Sequence, residues 1–199
     1  MAPWRQKGLL NSNIGVFQHQ LILKGGNGVF TRLFLAFLLS LSFFSGCKPE
    51  EETTKALEAI KAMESNRGIV QKGWEAFNNR DWDQLGMNYA LDATLTDPLF
   101  PLPFIGKASI LQHWKDWTLN VPDARASIQR TYAGVTFVVV EVVGMGTFQK
   151  GMPGIPEGVV GKSFRLDMIS IHELEEGKII RHAFFYDTGV LMKQLGLLQ

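Results

Sequence analysis

A carboxylate takes a proton from carbon near neutral pH only when its surroundings strip away solvent and raise its pKa. Asp97 stands in such a context. It precedes Pro98, and the run Leu99-Phe100-Pro101-Leu102-Pro103-Phe104 sets two phenylalanines in a loop that its prolines hold extended. Among Phe100, Phe104, Trp114 and Phe148, an aspartate would lose hydration. Asp167 and Asp187 are further carboxylates in the C-terminal third, and His182 lies five residues before Asp187, where it could orient or protonate a ligand. A second acid, kept protonated, would stabilise the enolate formed as the first removes a proton. Such a set supports isomerisation, aldol-type cyclisation or another enolate reaction without metal or cofactor.

Each residue also has a purely structural reading. Asp97 before a proline is a common turn cap. Asp167 can pair with Arg165 or Arg181 at a sheet surface, where such pairs contribute little. Asp187 is a favoured residue type for capping the final helix. His172 and His182 read as ordinary sheet residues, and His113 as a helix-surface residue with no evident partner. No histidines and carboxylates show metal-ligand spacing, so no metal is expected. The single cysteine rules out an internal disulfide and every Cys-rich metal pattern.

The elements that must position these groups can be read from periodicity. Leu57, Ile60, Met63, Ile69, Val70, Trp74 and Phe77 recur at helical spacing and predict a helix over 54–79, with Gly68 and Gly73 as weak points. Asn78-Asn79-Arg80-Asp81 reads as a stop followed by a new N-cap, and 82–89 as a short second helix. A brief strand over 93–97 leads into the proline-rich loop. A third helix over 107–117 presents Ile110, Leu111, Trp114 and Trp117. Beyond Pro122 the pattern changes to strands rich in Val, Ile and Phe over 126–133, 136–149, 159–173 and 178–186. Glu175-Glu176-Gly177-Lys178 reads as a hairpin turn and 190–198 as a closing helix. Three helices followed by a long antiparallel meander make an α+β domain, with helices on one face of a curved sheet.

Charge divides the chain unevenly. The 199 residues carry a formal net charge of +1. Residues 1–46 hold four of the 20 basic side chains (Arg5, Lys7, Lys24, Arg32) and none of the 19 acidic ones, which leaves 16 against 19, or −3, from Cys47 onward. A net negative domain without a basic cluster is a poor nucleic-acid binder. The uncharged run over 33–44 follows Arg32 and ends in Phe44-Ser45-Gly46-Cys47. Its length matches the core of a signal peptide rather than a bilayer span. The ending resembles the bacterial lipobox, with Phe44 in place of the usual Leu. The resemblance implies cleavage before Cys47 and a lipid on that cysteine. The expected organisation is a signal region over 1–46, a lipidated tether and helix start over 47–64, and a folded domain over 65–199. Lys48 after the lipidated residue points to the outer rather than the inner membrane of a bacterial envelope.

Several strings, in order, carry a wider likeness: Trp74-Glu75-Ala76-Phe77 through Asp83, Asp97-Pro98 with Phe104-Ile105-Gly106-Lys107, Glu176-Gly177-Lys178-Ile179-Ile180, and Asp187-Thr188-Gly189 with Gln194-Leu195-Gly196. Together they resemble the nuclear-transport-factor-2-like superfamily, the cone fold of ketosteroid isomerases and SnoaL-like polyketide cyclases. The resemblance implies a cone lined by Trp74, Tyr89, Phe100, Phe104, Trp114, Phe148 and Tyr186. It implies Asp97 as general base, Asp167 as oxyanion donor, and Asp187 or His182 as auxiliary acid. The oxyanion tyrosine of the isomerases falls on Gly73, which leaves Tyr89 or Tyr186 as replacements. The positions of a related epoxide hydrolase's Arg and Asp groups fall on Val139, Glu141 and Phe184, which excludes that reaction. The expected partner is a hydrophobic small molecule, with no cofactor. The broad sheet face is a candidate homodimer surface. The competing reading is a non-catalytic ligand-binding or protein-interaction module of the envelope, because this fold hosts both.

Overall fold

The computed structural model describes residues 49–152, 155 and 157–198. The apolar run 33–44 and Cys47 lie outside the described residues. The elements are α1 (Pro49–Asn79), α2 (Trp82–Met87), β1 (Tyr89–Thr96), β2 (Phe104–Ile105), α3 (Lys107–Asn120), β3 (Arg125–Ala133), β4 (Phe137–Thr147), a 3-10 turn (Glu157–Val159), β5 (Ser163–Glu175), β6 (Lys178–Phe185) and α4 (Thr188–Gln194). The domain is α+β, with helices on a curved six-stranded sheet and a short closing helix, as the periodicity predicts. Among the described residues no helix is long and apolar enough to cross a membrane.

Helix α1 runs unbroken through both glycines and begins earlier than its apolar pattern. Gly68 faces open space, while a Cβ on Gly73 would stand 3.2 Å from Asn88 Nδ2, so Gly73 lets α1 approach the end of α2 closely. The first turns of α1 do not join the core. Leu57 and Ile60 are 51% and 55% exposed. Burial begins at Asn66, whose Nδ2 donates to the Val135 carbonyl at 2.8 Å, and continues with Val70, Trp74 and Phe77. Arg80, at φ 60, ends the helix in the left-handed region. Asp81 then caps α2 by accepting from the Gln84 N–H at 3.0 Å.

Helix α2 stops two residues short of the expected boundary. Tyr89 already pairs with Ile179 as the first residue of β1. The sheet order is β2-β1-β6-β5-β4-β3. The meander from β3 to β6 is antiparallel, as expected, and β1 joins β6 in parallel. Parallel neighbours need a long crossover, and here everything between β1 and β6 supplies it. The turn between β5 and β6 has Glu176 and Gly177 both at positive φ, 47° and 73°. That matches the two-residue hairpin twist of adjacent strands. Alternation along β5 sends Phe164, Leu166, Ser170, His172 and Leu174 inward, and Arg165 and Asp167 outward.

Candidate functional site

The C-terminal ends of β1, β6 and β4 and the N-terminal ends of β5 and β3 meet at one edge of the sheet. Parallel pairing puts Thr96 beside Ala183, and antiparallel pairing puts Arg125 beside Met145 and Gly146 beside Phe164. A largely apolar cavity of about 60 Å³ lies at this edge, lined by Trp74, Phe77, Trp114, Trp117, Phe164, Leu166, Phe184 and Leu191, with Asp97, Tyr186 and Arg125 as its polar members. Sites that enclose a drug-sized ligand run to roughly 300–1,000 Å³. A molecule of that size therefore enters only if the wall gives way.

Asp97 follows the last residue of β1 and its side chain is 9% exposed. One carboxylate oxygen, Oδ1, accepts from the Tyr186 hydroxyl at 2.5 Å and from the Leu99 N–H at 2.9 Å. The second contact closes the turn over Pro98, so the capping role is real. It occupies only one oxygen. The other, Oδ2, faces the His113 Nε2 at 4.0 Å, and among the described residues no Lys or Arg pairs with this carboxylate. Burial raises the Asp97 pKa, and the bonds from Tyr186 and Leu99 only partly offset it. Burial and the Asp97 charge push the Tyr186 hydroxyl upward, so it stays a donor.

His113 is the functional neighbour that sequence reasoning placed on a helix surface. It is 3% exposed and lies on the inner side of α3 with Ile110 and Trp114. Phe104 stacks on its ring at 4.1 Å, and Phe100 meets it edge-on at 5.1 Å. The two loop phenylalanines thus clamp His113 instead of lining the cavity. Burial lowers the His113 pKa to about 4, so the ring is neutral at physiological pH. The signal was present in the sequence: Ile110, His113 and Trp114 stand at i, i+3 and i+4, one face of a helix.

Tyr89 and His182 sit deeper. They line a second cavity of about 20 Å³, which shares Trp74, Phe77 and Trp114 with the first and includes Gly73 in its wall. The Tyr89 hydroxyl bonds His182 Nδ1 at 2.7 Å, His182 Nε2 bonds Ser170 Oγ at 2.9 Å, and Ser170 Oγ also reaches His172 Nε2 at 3.3 Å. Burial lowers the His172 pKa to about 3. Burial and then the neighbouring His172 and His113 hold His182 well below its ordinary range. Trp74 borders both cavities, and its indole N–H is buried without a hydrogen-bond partner.

The remaining expected site residues lie elsewhere. Asp167 is 82% exposed on the outer sheet face, with Arg165 Nη1 at 3.2 Å. The alternation that turns Phe164 and Leu166 inward turns Asp167 outward, so it cannot donate into the cavity. Asp187 is exposed and caps α4, accepting from the Val190 N–H at 3.1 Å. Phe148 is fully buried behind the wall, against Trp117 and Phe164. Trp74, Trp114 and Tyr186 do line the cavity. Among the described residues no three His, Cys, Asp or Glu side chains gather as a metal site.

Residues 70–182 match the family model of the SnoaL-like domain. The chain belongs to the SnoaL-like family. The matched region holds Asp97, His113 and the Tyr89–His182 pair, while Tyr186 stands just beyond it. Solved structures share the fold. IdmH, a candidate polyketide cyclase from Streptomyces antibioticus, is 24% identical with a TM-score of 0.55, covering 66% of this chain and 98% of its own. TsrD from Streptomyces laurentii is 21% identical with a TM-score of 0.59, covering 68% and 97%. A candidate polyketide cyclase from Xanthomonas campestris pv. campestris is 22% identical with a TM-score of 0.58, covering 67% and 98%. No functionally curated protein matches the sequence. At these identities the likeness to the SnoaL-like structures is one of fold.

Proposed function

We propose that this SnoaL-like domain binds a hydrophobic carbonyl compound in its apolar cavity and moves a proton on it, with Asp97 as the base. The observation that carries the reading is the division of labour within one carboxylate. Oδ1 is anchored by Tyr186 and Leu99, while Oδ2 is left with only a neutral imidazole nearby. In the forward step, Oδ2 takes the proton from the carbon next to the carbonyl, and the electron pair of that C–H bond moves into the enolate. The protonated Oδ2 then turns toward His113 Nε2 as a hydrogen-bond donor. Return of the proton to another carbon completes an isomerisation; in a ring closure the enolate carbon instead attacks a second carbonyl of the same molecule, the π pair moves to that oxygen, and the oxygen takes the proton back from Oδ2. The Trp74 N–H is the donor in the wall suited to the developing oxyanion. Candidate polyketide cyclases among the structural relatives fit this class of chemistry. The domain is held at a bacterial membrane, in this reading the outer one, by a lipid on Cys47.

The test is deuterium exchange at the α-carbons of 2-tetralone, a hydrophobic cyclic ketone, in heavy water with the purified chain. The expected result is exchange above the buffer rate that falls by about 100-fold or more in Asp97→Asn. Exchange no faster than buffer, or unchanged in Asp97→Asn, overturns the catalytic reading. It leaves the non-catalytic binding module, which the small cavity volume and the outward Asp167 favour. Tethering is checked by mass spectrometry of the membrane fraction. A diacylglyceryl group on Cys47, and release of Cys47→Ala into the soluble fraction, are the expected outcomes.

A further inference from the structure

Most of the cavity wall is apolar, but two of its polar members carry opposite charges and stand on strands well apart in the sheet. Asp97 follows β1, and Arg125 opens β3. Strands β6, β5 and β4 lie between them. Four strand spacings amount to about 19 Å along the sheet, and curvature shortens the direct path. Arg125 is the one lysine or arginine among the residues lining this cavity.

Its setting is built by backbone groups. The Asn78 side chain pins the start of β3 to the end of α1 through two bonds to Ala126, donating to its carbonyl at 2.8 Å and accepting from its N–H at 2.9 Å. The Asn78 carbonyl in turn accepts from Arg125 Nη1 at 2.5 Å. That contact occupies one donor of a guanidinium that has five. Among the described residues no carboxylate lies within ion-pair distance of Arg125. Arg80 adds a second positive charge nearby. Its guanidinium donates to the Phe77, Pro122 and Ala124 carbonyls at 2.8–2.9 Å. Burial lowers the Arg80 pKa first, and the closeness of Arg125 lowers it further, while Asp123 acts in the opposite direction. Asp123 spends one oxygen on the Thr147 N–H at 2.7 Å. The surroundings of Arg125 therefore set two cations against one anion, both cations placed by carbonyl oxygens, in a segment from Cys47 onward whose net charge is −3.

We infer that the ligand of this cavity is an amphipathic anion, an apolar body whose carboxylate, sulfonate or phosphate is received by the free donors of Arg125. This deepens the proposed function and rests on its cavity being the ligand site. The charge arrangement sets orientation as well as affinity. An anionic group would be repelled by the Asp97 carboxylate and drawn to the guanidinium, so the neutral, carbonyl-bearing end is the one delivered to Oδ2.

The test uses two dyes that share an aromatic body, 1-anilinonaphthalene-8-sulfonate and the uncharged N-phenyl-1-naphthylamine, titrated by fluorescence against the purified full chain. The sulfonate should bind more tightly by roughly tenfold, as expected for a charge-assisted hydrogen bond. Arg125→Gln should abolish that preference, Arg125→Lys should keep part of it, and added potassium chloride should erode it. Circular dichroism melts confirm that each variant folds. Ala126→Leu, which fills the cavity with an apolar side chain, should weaken both dyes. No preference for the sulfonate, or a preference that survives Arg125→Gln, overturns the inference while the cavity stands. If Ala126→Leu alters neither dye, the cavity is not the ligand site, and the proposed function falls together with the inference.

Discussion

Lowering the pH should unfold this domain well before its carboxylates are fully protonated, and the buried histidines set the scale. The His172 pKa is lowered from 6.5 to about 3 and the His113 pKa from 6.5 to about 4, both mainly by burial. The unfolded chain therefore binds more protons than the folded one between those values. Stability is fully present above about pH 6.5 and is lost as pH falls toward about 3–4. At pH 4 the linkage amounts to roughly 3 kcal/mol for each of the two rings. Set against a total stability of about 5–15 kcal/mol for a typical domain, that loss is large. Asp97 acts in the opposite sense. Its pKa is raised, so its burial costs stability at neutral pH, and the cost fades as pH falls through its folded value. Urea denaturation at pH 7.5, 6.5, 5.5 and 4.5, followed by tryptophan fluorescence, measures the sum. The midpoint should hold down to about pH 6.5 and then fall steeply. His113→Gln and His172→Gln should each flatten the fall, whatever they do to stability at pH 7.5. A midpoint that stays level from pH 7.5 to 4.5, or variants with the slope of the parent, would refute the assignment of neutral buried imidazoles.

The same geometry makes further predictions. Asp97→Asn keeps an oxygen for Tyr186 and Leu99 and removes a buried charge, so its thermal midpoint at pH 7.5 should equal or exceed that of the parent; a drop of more than about 1 kcal/mol would show that the charge itself stabilises the turn. Tyr186→Phe deletes a donor to the carboxylate, so a ¹³C titration of Asp97 should move to higher pH, and an unmoved curve would remove Tyr186 from the site. Asp187→Ala should cost about 1 kcal/mol as a lost N-cap. Asp167→Ala should change stability by less than about 0.5 kcal/mol and leave α-carbon exchange untouched, as for any exposed surface position. A large catalytic loss there would contradict its outward placement.

Local pattern and non-local pairing contributed differently to what could be read from the residues. Helix α3, the Asp81 cap and the Glu176-Gly177 turn follow from spacing and backbone preference within a few residues, and they stand where those signals put them. The outward side of Asp167 was also written locally, in Phe164-Arg165-Leu166-Asp167, where the apolar residues claim the inner face. The analogy with isomerases pointed inward, and alternation decided the matter. His113 shows the reverse error: its polarity suggested solvent, while its spacing with Ile110 and Trp114 already placed it inside. The parallel β1–β6 pair, the boundary at Tyr89 and the meeting of Asp97 with Tyr186 depend on residues about 90 positions apart. No periodicity within one segment carries that information, because partner choice in a sheet is made by the whole fold.

A lone buried aspartate is a costly thing to keep, and its surroundings are arranged so that the cost falls on one form of one oxygen. The cavity wall desolvates the carboxylate. Tyr186 and Leu99 hold Oδ1 in place, and His113 stands 4.0 Å from Oδ2, close enough to receive a proton-bearing oxygen after a small rotation but too far to bond it at rest. A charged partner such as lysine at that position would have lowered the Asp97 pKa and quenched its basicity. A neutral ring does neither. Phe100 and Phe104 keep that ring dry and therefore neutral, which gives the proline-rich loop a task at the site although none of its residues lines the cavity. If the loop is displaced so that water reaches His113, its pKa should rise toward 6.5, the imidazolium should pair with Asp97, and base strength should be lost together with the clamp. The aromatic loop and the carboxylate it follows thus form a single unit, in which the residues after Asp97 set the charge state of the one group that faces its free oxygen.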